Sequence, residues 1–194
     1  MRDCIAKEIQ GTKRLMLPMS EDAALQARLE AAASACIASL NNSGKISVSG
    51  NCCSDADASH IACECFSCFG FDRPGKPTNA LTTYKSTLTS LGNYYSYVEL
   101  FDCQVQANAQ KGGSFVAYLT SGKSSNLIAA IEEAWKHAVF CIGVRGNRGG
   151  SINEQCEPNL NLPASDTPMI KEGHAVLSHI LCSLVKRALF EAPT

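Results

Sequence analysis

The sequence predicts an α/β fold, a three-layer αβα sandwich around a mostly parallel five-stranded sheet. Short apolar runs typical of buried strands alternate with longer helical segments from residue 45 to residue 190. That alternation favours parallel strands joined by helices that cover both faces of the sheet. The length of 194 residues fits one domain of ordinary size. We therefore predict a single domain over 1–194, with an N-terminal helical extension over about residues 1–43.

The elements follow one another in a simple order. In the N-terminal extension, Ser20 is predicted to cap an Ala- and Leu-rich helix that ends at the Asn-Asn-Ser-Gly of residues 41–44. Beyond it, apolar and β-branched runs predict five strands, at 45–50, 77–83, 113–120, 138–146 and, more weakly, 159–165. Helical patterns predict the connections and the last element, at 54–69, 97–109, 124–138 and 167–190.

Composition excludes several classes of function. The net charge of −1 and the isoelectric point near 6.4 provide no basic surface for nucleic acid. No apolar run approaches the roughly 20 residues of a membrane-spanning helix. The first sixteen residues, "MRDCIAKEIQGTKRLM", are charged throughout and lack the apolar centre of a signal peptide. We therefore expect a cytosolic protein that binds neither nucleic acid nor a membrane.

The chain has eleven cysteines, which raises the question of disulfides or thiolate metal sites. Cys36, Cys141 and Cys182 lie inside apolar runs, where a reduced cysteine acts as a small hydrophobic residue. A second group of cysteines lies in and just before the predicted helix over 54–69. Its spacing lacks the paired C-x₂-C pattern of thiolate zinc sites, and its members are Cys52, Cys53, Cys63, Cys65 and Cys68. We expect Cys63 and Cys65 to face opposite ways on a helix, so a cysteine-bound metal is disfavoured.

In parallel α/β sheets, ligands bind beyond the carboxyl ends of the strands, and one such segment is "LTSGKSSN", residues 119–126. Its hydroxyls and the free N–H groups of the following helix suit a phosphate, although a serine-rich helix cap has the same composition. A nucleotide-binding P-loop is excluded because that motif requires glycine five positions before Gly122, where Ala117 stands.

The helix after the first strand has His60 and Glu64 four residues apart, so both side chains project from one face. An imidazole and a carboxylate at that spacing can share Zn²⁺, or can be an ordinary solvated pair. On the last helix, Lys171, Glu172 and His179 share one half of the surface, as in a metal site or an oligomer contact. His174 points elsewhere, and we expect a surface or interface residue there.

Several motifs in one order carry a resemblance to a known family. They are "GNCCSDADASH", "FDRPGKP", "ALTT", "LGNYYSY", "LFDCQVQA", "LTSGKSSN", "GNRGG" and "DTPMIKEGHAVLSHILC". Over about residues 32–190 the chain resembles the sugar isomerase (SIS) domain family, and within it the phosphoheptose isomerases. The resemblance implies an αβα sandwich that forms a homotetramer, with sites between subunits that hold zinc in many members. It also implies the isomerisation of sedoheptulose 7-phosphate to D-glycero-D-manno-heptose 7-phosphate.

The resemblance also assigns roles to residues by matching motifs. Glu64 and His179 match the catalytic base and acid, and together with His60 they match the metal ligands. The positions matching the substrate and phosphate contacts, including those where this chain differs from the family, are Asn51, Cys52, Cys53, Ser54, Asn93, Tyr94, Thr120, Ser121, Ser124 and Lys171. The implied chemistry moves a proton between neighbouring carbons through an enediol, with an imidazole serving the oxygen.

The departures from the family are concentrated at this site. Cys52 and Cys53 replace two glycines, Tyr94 replaces an acidic residue, Leu119 replaces a serine and Lys171 replaces a glutamine ligand. An ammonium repels a dication, so we predict that zinc binds weakly or not at all, unless Glu172 replaces Lys171 as ligand. We also predict that Lys171 pairs with Glu64, which lowers the basicity of that carboxylate, and that isomerase activity is therefore reduced. The alternative to an isomerase is a non-catalytic SIS-domain protein that binds a phosphosugar or a protein partner.

Overall fold

The computed structural model describes residues 1–67, 70–150, 152 and 155–190. Five parallel strands form one sheet in the order β2-β1-β3-β4-β5. The strands are β1 Ile46–Gly50, β2 Thr78–Ala80, β3 Ser114–Leu119, β4 Phe140–Arg145 and β5 Asn159–Asn161. The predicted α/β class and five-stranded sheet are therefore confirmed, with every strand pair parallel. Strands β2 and β5 are shorter than predicted and lie at the two edges.

The helices of the described residues surround this sheet. They are α1 Arg2–Glu21, α2 Ala23–Asn41, α3 Cys53–Phe66, α4 Lys85–Tyr94, α5 Asp102–Asn108, α6 Ser125–Lys136 and α7 Thr167–Phe190. The predicted helix over 97–109 is instead a 3-10 turn, Val98–Leu100, followed by α5. Helix α4 was not predicted. Residues 68 and 69, where the predicted helix over 54–69 ends, lie outside the described residues.

The prediction that Ser20 caps the N-terminal helix is wrong. Ser20 lies inside α1, and its hydroxyl donates to the carbonyl of Leu17. Asp22 separates α1 from α2 and accepts a hydrogen bond from the N–H of Leu25 at 2.9 Å. A carboxylate directly before a helix can accept from one of the free N–H groups of the first turn, and its charge complements the helix dipole. The residue that caps α2 is therefore Asp22.

Two hydrophobic clusters fill the space on either side of the sheet. On one face, α2, α3 and α7 pack on β1, β3 and β4 through residues such as Val48, Ile61 and Leu177. On the other face, α5 and α6 pack on β3 through Phe115, Leu127 and Ile131. Strand β3 lies at the centre, and all six of its residues are buried. This arrangement confirms the three layers and brings α3 against α7.

The sheet also directs the loops that matter for function. Because all strands are parallel, the segments after Gly50 and Leu119 leave the same edge, on neighbouring strands. A Cβ on Gly50 would overlap the backbone carbonyl of Ser54, so only glycine lets the chain turn directly from β1 into α3. Among the helices that the structure describes, none is long and apolar enough to cross a membrane.

Candidate functional site

Helices α3 and α7 bring three predicted site residues together, and we call them the helix cluster: His60, Glu64 and His179. Nε2 of His60 lies 3.5 Å from Oε1 of Glu64, across one turn of α3. The imidazole rings of His60 and His179 meet edge-on, with centroids 4.9 Å apart. The side chains of His60 and Glu64 are 40% and 23% exposed, so solutes can reach them. A carboxylate and two imidazoles thus lie on one accessible surface.

Whether this cluster fits a zinc ion depends on its donors. Among the described residues, no group of three or more His, Cys, Asp or Glu side chains is arranged to hold a metal ion. The chain also places an ammonium, Lys171, where the resemblance implies a neutral amide ligand, and an ammonium has no lone pair to donate. The donor set of a single chain therefore does not fit a closed tetrahedral zinc site.

Lys171 contacts the opposite end of α3 from the one expected. Its Nζ donates to the carbonyl of Cys53 at 2.6 Å and forms an ion pair with the carboxylate of Asp57. Among the ion pairs of the described residues, none joins Lys171 to Glu64, so the predicted pairing is wrong. Asp57 and Cys53 lie about two and three turns nearer the N-terminus of α3 than Glu64, level with Lys171 on the neighbouring helix. Nor does Glu172 complete a metal-binding group with the helix cluster, since no such group occurs among the described residues. One of its carboxylate oxygens is buried without a hydrogen-bond partner among those residues.

His174 was expected to be a surface or interface residue, and that prediction is also wrong. The residue is 0% exposed, and its Nδ1 lies 2.8 Å from Oδ2 of Asp57. Burial lowers the pKa of His174, while the hydrogen bond and charge of Asp57 oppose the shift. The ring also meets Tyr118 edge-on at 5.3 Å. The sequence placed His174 away from His179 correctly, but the side of α7 that it occupies faces α3 and the sheet.

A second group, which we call the amide cluster, lies where the strands end: Asn51, Tyr97 and Asn126. The side-chain amides of Asn51 and Asn126 exchange two hydrogen bonds, of 2.8 and 2.9 Å. The hydroxyl of Tyr97 donates to Oδ1 of Asn51 at 2.8 Å. Three segments from different parts of the chain are thereby fixed around one residue of the predicted substrate loop.

Sequence reasoning identified Asn51 but missed Tyr97 and Asn126. Asn126 is 1% exposed, and a polar residue at the first turn of a helix that follows a strand is the signal that could have singled it out. Tyr97 carried no such signal, because its contact depends on how the segment after α4 crosses the loop after β1.

The predicted phosphate loop continues from the amide cluster. Thr120 is partly buried, Ser121 is exposed, and Ser124 immediately precedes α6. Among the described contacts, the hydroxyl of Ser124 makes no capping hydrogen bond, and that of Ser121 accepts from the N–H of Lys123 at 3.3 Å. Gly122 has a positive φ of 67°, and a Cβ there would overlap the backbone of Gly149, so the loop packs tightly on the segment after β4.

The remaining predicted substrate residues have different surroundings. Cys52 and Cys53 are both exposed, with their sulfur atoms 3.8 Å apart. Ser54 is buried, and its N–H donates to the carbonyl of Asn51 at 2.9 Å. Asn93 and Tyr94 are exposed on α4, and no described contact joins them to the helix cluster or the amide cluster. Within one chain these two residues therefore remain apart from the site.

The cysteines behave mostly as the sequence indicated. Cys36, Cys141 and Cys182 are buried, and burial raises the pKa of Cys36 and of Cys141 to about 12. Cys63 is exposed whereas Cys65 is buried against Cys182, so they face opposite ways on α3 as expected. Cys68 lies outside the described residues. The buried thiols of Cys36, Cys65, Cys141 and Cys182 pack as apolar side chains.

A cavity of about 1160 Å³ lies away from all of these groups, between α2, the end of α6 and strands β4 and β5. Its lining includes Ala31, Trp135 and Phe140, and none of the predicted site residues. The lining follows β4 from Phe140 to Arg145 and includes no residue of α3 or α7, the helices that carry the helix cluster.

Comparison with known proteins gives consistent matches along the chain. The family model described as SIS domain matches residues 12–146. The phosphoheptose isomerase of Burkholderia pseudomallei (strain 1710b) is 48% identical over 186 residues, covering 96% of this chain and 94% of the relative. That of Aneurinibacillus thermoaerophilus is 41% identical over 190 residues, covering 98% of this chain and 96% of the relative.

Solved structures of the same class superpose closely. A phosphoheptose isomerase from Francisella tularensis has a TM-score of 0.89 at 29% identity, covering 95% of this chain and 97% of the other. A phosphoheptose isomerase from Neisseria gonorrhoeae has a TM-score of 0.87 at 31% identity, covering 95% of this chain and 98% of the other. The similarity thus extends over nearly the whole chain in both sequence and fold.

Proposed function

The chain belongs to the SIS domain family, and we propose that it is a cytosolic phosphoheptose isomerase that converts sedoheptulose 7-phosphate to D-glycero-D-manno-heptose 7-phosphate. The relatives that cover almost its whole length carry that name. The observation that carries the proposal beyond resemblance is the helix cluster. A carboxylate and imidazoles from two separate helices meet on one accessible surface, as an aldose–ketose isomerisation requires.

In the proposed reaction, Glu64 removes a proton from the carbon next to the carbonyl and returns it to the neighbouring carbon through an enediol. His179 serves the substrate oxygens during ring opening and proton transfer. The contact with His60 orients the Glu64 carboxylate. Because Lys171 pairs with Asp57 and not with Glu64, the carboxylate of Glu64 stays accessible to a substrate at the surface of α3.

We further propose that Thr120, Ser121 and Ser124 bind the substrate phosphate. Their hydroxyls lie at the beginning of α6, where free N–H groups and the helix dipole favour an anion. Asn51, Cys52, Cys53 and Ser54 would line the sugar, with Asn93 and Tyr94 contributing from α4.

The proposal is tested by incubating the purified protein with sedoheptulose 7-phosphate and following the aldose product by NMR. We expect the aldose to accumulate until equilibrium, and the α-proton to exchange with deuterated solvent. A protein that binds the sugar phosphate but produces no aldose and no exchange would contradict isomerisation.

We also propose that zinc binds weakly or not at all, because Lys171, at the position of a family ligand, has no lone pair to donate, and because no group of three His, Cys, Asp or Glu side chains among the described residues is arranged to hold a metal ion. Elemental analysis of protein purified without chelator should find well under one zinc per chain. The Lys171→Gln variant, which supplies a neutral amide, should hold more. One tightly bound zinc per chain in the unaltered protein would contradict this proposal.

A homotetramer is proposed as the assembly that completes the site. Helix α1 exposes Ile5, Ile9 and Leu17 on its surface, which is unfavourable unless another copy covers them. Asn93 and Tyr94, which lie apart from the site within one chain, are available to a neighbouring copy. Light scattering coupled to size exclusion should give four times the 20.7 kDa mass of the chain, and a monomer would contradict the proposal.

The alternative is a SIS-domain protein without catalytic activity that binds a phosphosugar or a protein partner. Cys52 and Cys53 favour this alternative. Their exposed side chains stand where the family has glycine, and so narrow the pocket for the substrate. Calorimetric binding of sedoheptulose 7-phosphate without turnover would support this alternative, whereas turnover would exclude it.

A further inference from the structure

The contacts of Lys171 connect α7 to the beginning of α3, where the chain leaves β1. Helix α7 contributes His179 to the helix cluster, and two turns earlier it contributes Lys171. The ammonium of Lys171 reaches the carbonyl of Cys53, which belongs to the loop that leaves β1. It also pairs with Asp57 one turn further along α3. With side-chain exposures of 18% and 12%, Lys171 and Asp57 are shielded from solvent, which strengthens such charge-assisted contacts.

The loop that Lys171 holds has a backbone conformation that its sequence disfavours. Cys52 has φ 53° and ψ −121°, a region that is open to glycine and disfavoured for a residue with a Cβ. Such a conformation persists only where surrounding contacts hold it in place. Two local hydrogen bonds do so, from the N–H of Ser54 to Asn51 and from the N–H of Asp55 to Cys52. The bond from Lys171 to Cys53 adds a contact from a distant helix.

We propose that Lys171 is a positioning residue, which anchors the loop of residues 51–54 to α7 and so keeps Asn51 and Cys52 in the conformation that accepts the sugar. The inference rests on the proposed function and adds the role of this lysine to it. Lys171 and Cys52 then act together: the cysteine strains the loop, and the ammonium holds the strained loop in place.

The joint action of Lys171 and Cys52 has a consequence that would be absent if Lys171 only repelled a metal cation. Removing the ammonium should release the loop only while residue 52 disfavours the native conformation. With glycine at position 52, the local hydrogen bonds suffice, because glycine adopts a positive φ without steric cost. The effect of the Lys171 substitution therefore depends on the residue at position 52.

The test compares Lys171→Met, Lys171→Arg, Cys52→Gly and the double variant Cys52→Gly/Lys171→Met. Hydrogen–deuterium exchange of the amides of residues 51–55 reports the loop directly. We expect Lys171→Met to accelerate this exchange about tenfold or more, as expected for the loss of a shielded charge-assisted hydrogen bond. Lys171→Arg should restore most of the protection, because a guanidinium can also donate to both the carbonyl and the carboxylate.

In steady-state assays, Lys171→Met should raise KM for sedoheptulose 7-phosphate several-fold more than it lowers kcat. The double variant should recover both loop protection and KM. Lys136→Met is the matched control: it removes another lysine–carboxylate pair, with Glu133, whose lysine is 70% exposed, and should change neither quantity.

Unchanged exchange at residues 51–55 in Lys171→Met would overturn the proposal, as would exchange that stays fast in the double variant. The exchange measurements do not depend on turnover. Accelerated exchange in Lys171→Met, reversed in the double variant, would therefore support the anchoring even if every variant lacked isomerase activity. That last result would count against the proposed isomerisation alone.

Discussion

The helix cluster and the amide cluster are built in different ways. The three residues of the helix cluster lie on the surfaces of α3 and α7, and two of them are one turn apart on the same helix. The residues of the amide cluster come from three segments, after β1, after α4 and at the start of α6, and are joined by three short hydrogen bonds. The first cluster is accessible and is held by the packing of its helices. The second has a buried member and is held by its own hydrogen bonds.

This difference indicates a division of labour. A catalytic carboxylate has to reach a substrate, so partial exposure on a rigid helix suits Glu64. A residue that shapes a loop has to stay in place, and the amide of Asn126 does so because a buried polar group without its partner is costly. Substitutions in the helix cluster should therefore lower activity and leave stability almost unchanged. Substitutions in the amide cluster should lower both activity and stability.

The largest effect is expected for Glu64→Gln. The amide keeps the size of the side chain but cannot accept the proton, so kcat for sedoheptulose 7-phosphate should fall about 10²–10⁴-fold. The thermal midpoint should change little, because Glu64 is partly exposed. Glu30→Gln, on the exposed surface of α2, is the control and should retain full activity. Comparable activity in Glu64→Gln would remove this residue from the reaction.

Asn126→Leu comes next and should affect stability and activity together. The substitution removes the acceptor of the Asn51 side-chain N–H and one of the two donors to its oxygen, and leaving a buried polar group without its partner costs about 1–3 kcal/mol of unfolding free energy. Urea denaturation measures that cost, and KM should rise because the loop of Asn51 loosens. Leu127, the neighbouring buried residue, provides a control for lost stability alone. The Leu127→Asn variant should destabilise the fold but leave KM unchanged, because Asn126 keeps its bonds to Asn51. A fully stable Asn126→Leu protein would contradict the importance of the amide pair.

Tyr97→Phe should have a smaller effect of the same kind. It removes one donor to Oδ1 of Asn51, which still accepts from Asn126, so we expect a loss of about 0.5–1.5 kcal/mol. Tyr95→Phe, at an exposed neighbouring residue, should change nothing measurable. If both variants had identical denaturation midpoints and KM values, Tyr97 would have no part in holding the loop.

The smallest effect is a pH response from His174. Its pKa is lowered by burial in the folded protein, so the unfolded chain binds more protons as the pH falls below about 6.5, the ordinary histidine value. The stability that depends on neutral His174 is therefore complete above that pH and decreases as the pH falls below it. Urea denaturation between pH 8 and pH 5.5 should show this decrease, with only part of it developed near pH 6.5.

The His174→Gln variant separates this contribution from those of other groups. Glutamine stays neutral and can still donate to Asp57, so its stability should fall less steeply over the same range. His137→Gln, on the opposite face of the sheet beside Glu133, retains His174 and should retain the steeper decrease. Parallel curves for the unaltered protein and His174→Gln would contradict the assignment to His174.

Much of the fold could be predicted from local patterns. The alternation of buried apolar runs with helical segments predicted the parallel sheet, because strands and helices differ in the spacing of their apolar residues. The spacing of His60 and Glu64 predicted a shared helix face, which the structure shows. The cap at Ser20 failed because several polar residues compete for that role, and Asp22 lies at the point where α1 ends.

Side-chain partners were harder to predict. Lys171 was expected beside Glu64, and His174 at the surface, yet both contact Asp57. The spacing of residues on α7 gives their direction around that helix, but not the height at which α3 packs against it. A shift of two turns between the two helices exchanges Glu64 for Asp57 as the partner.

The sequence by itself determined the order of strands and helices, the SIS family and the residues that one helix turn brings together. These depend on local periodicity and on motifs that are read along the chain. Only the tertiary structure decided that Lys171 holds the loop after β1, that His174 is buried and that Asn126 supports Asn51. Those contacts join residues 75 to 118 positions apart, and the packing of α3, α6 and α7 on the sheet sets which side chains meet.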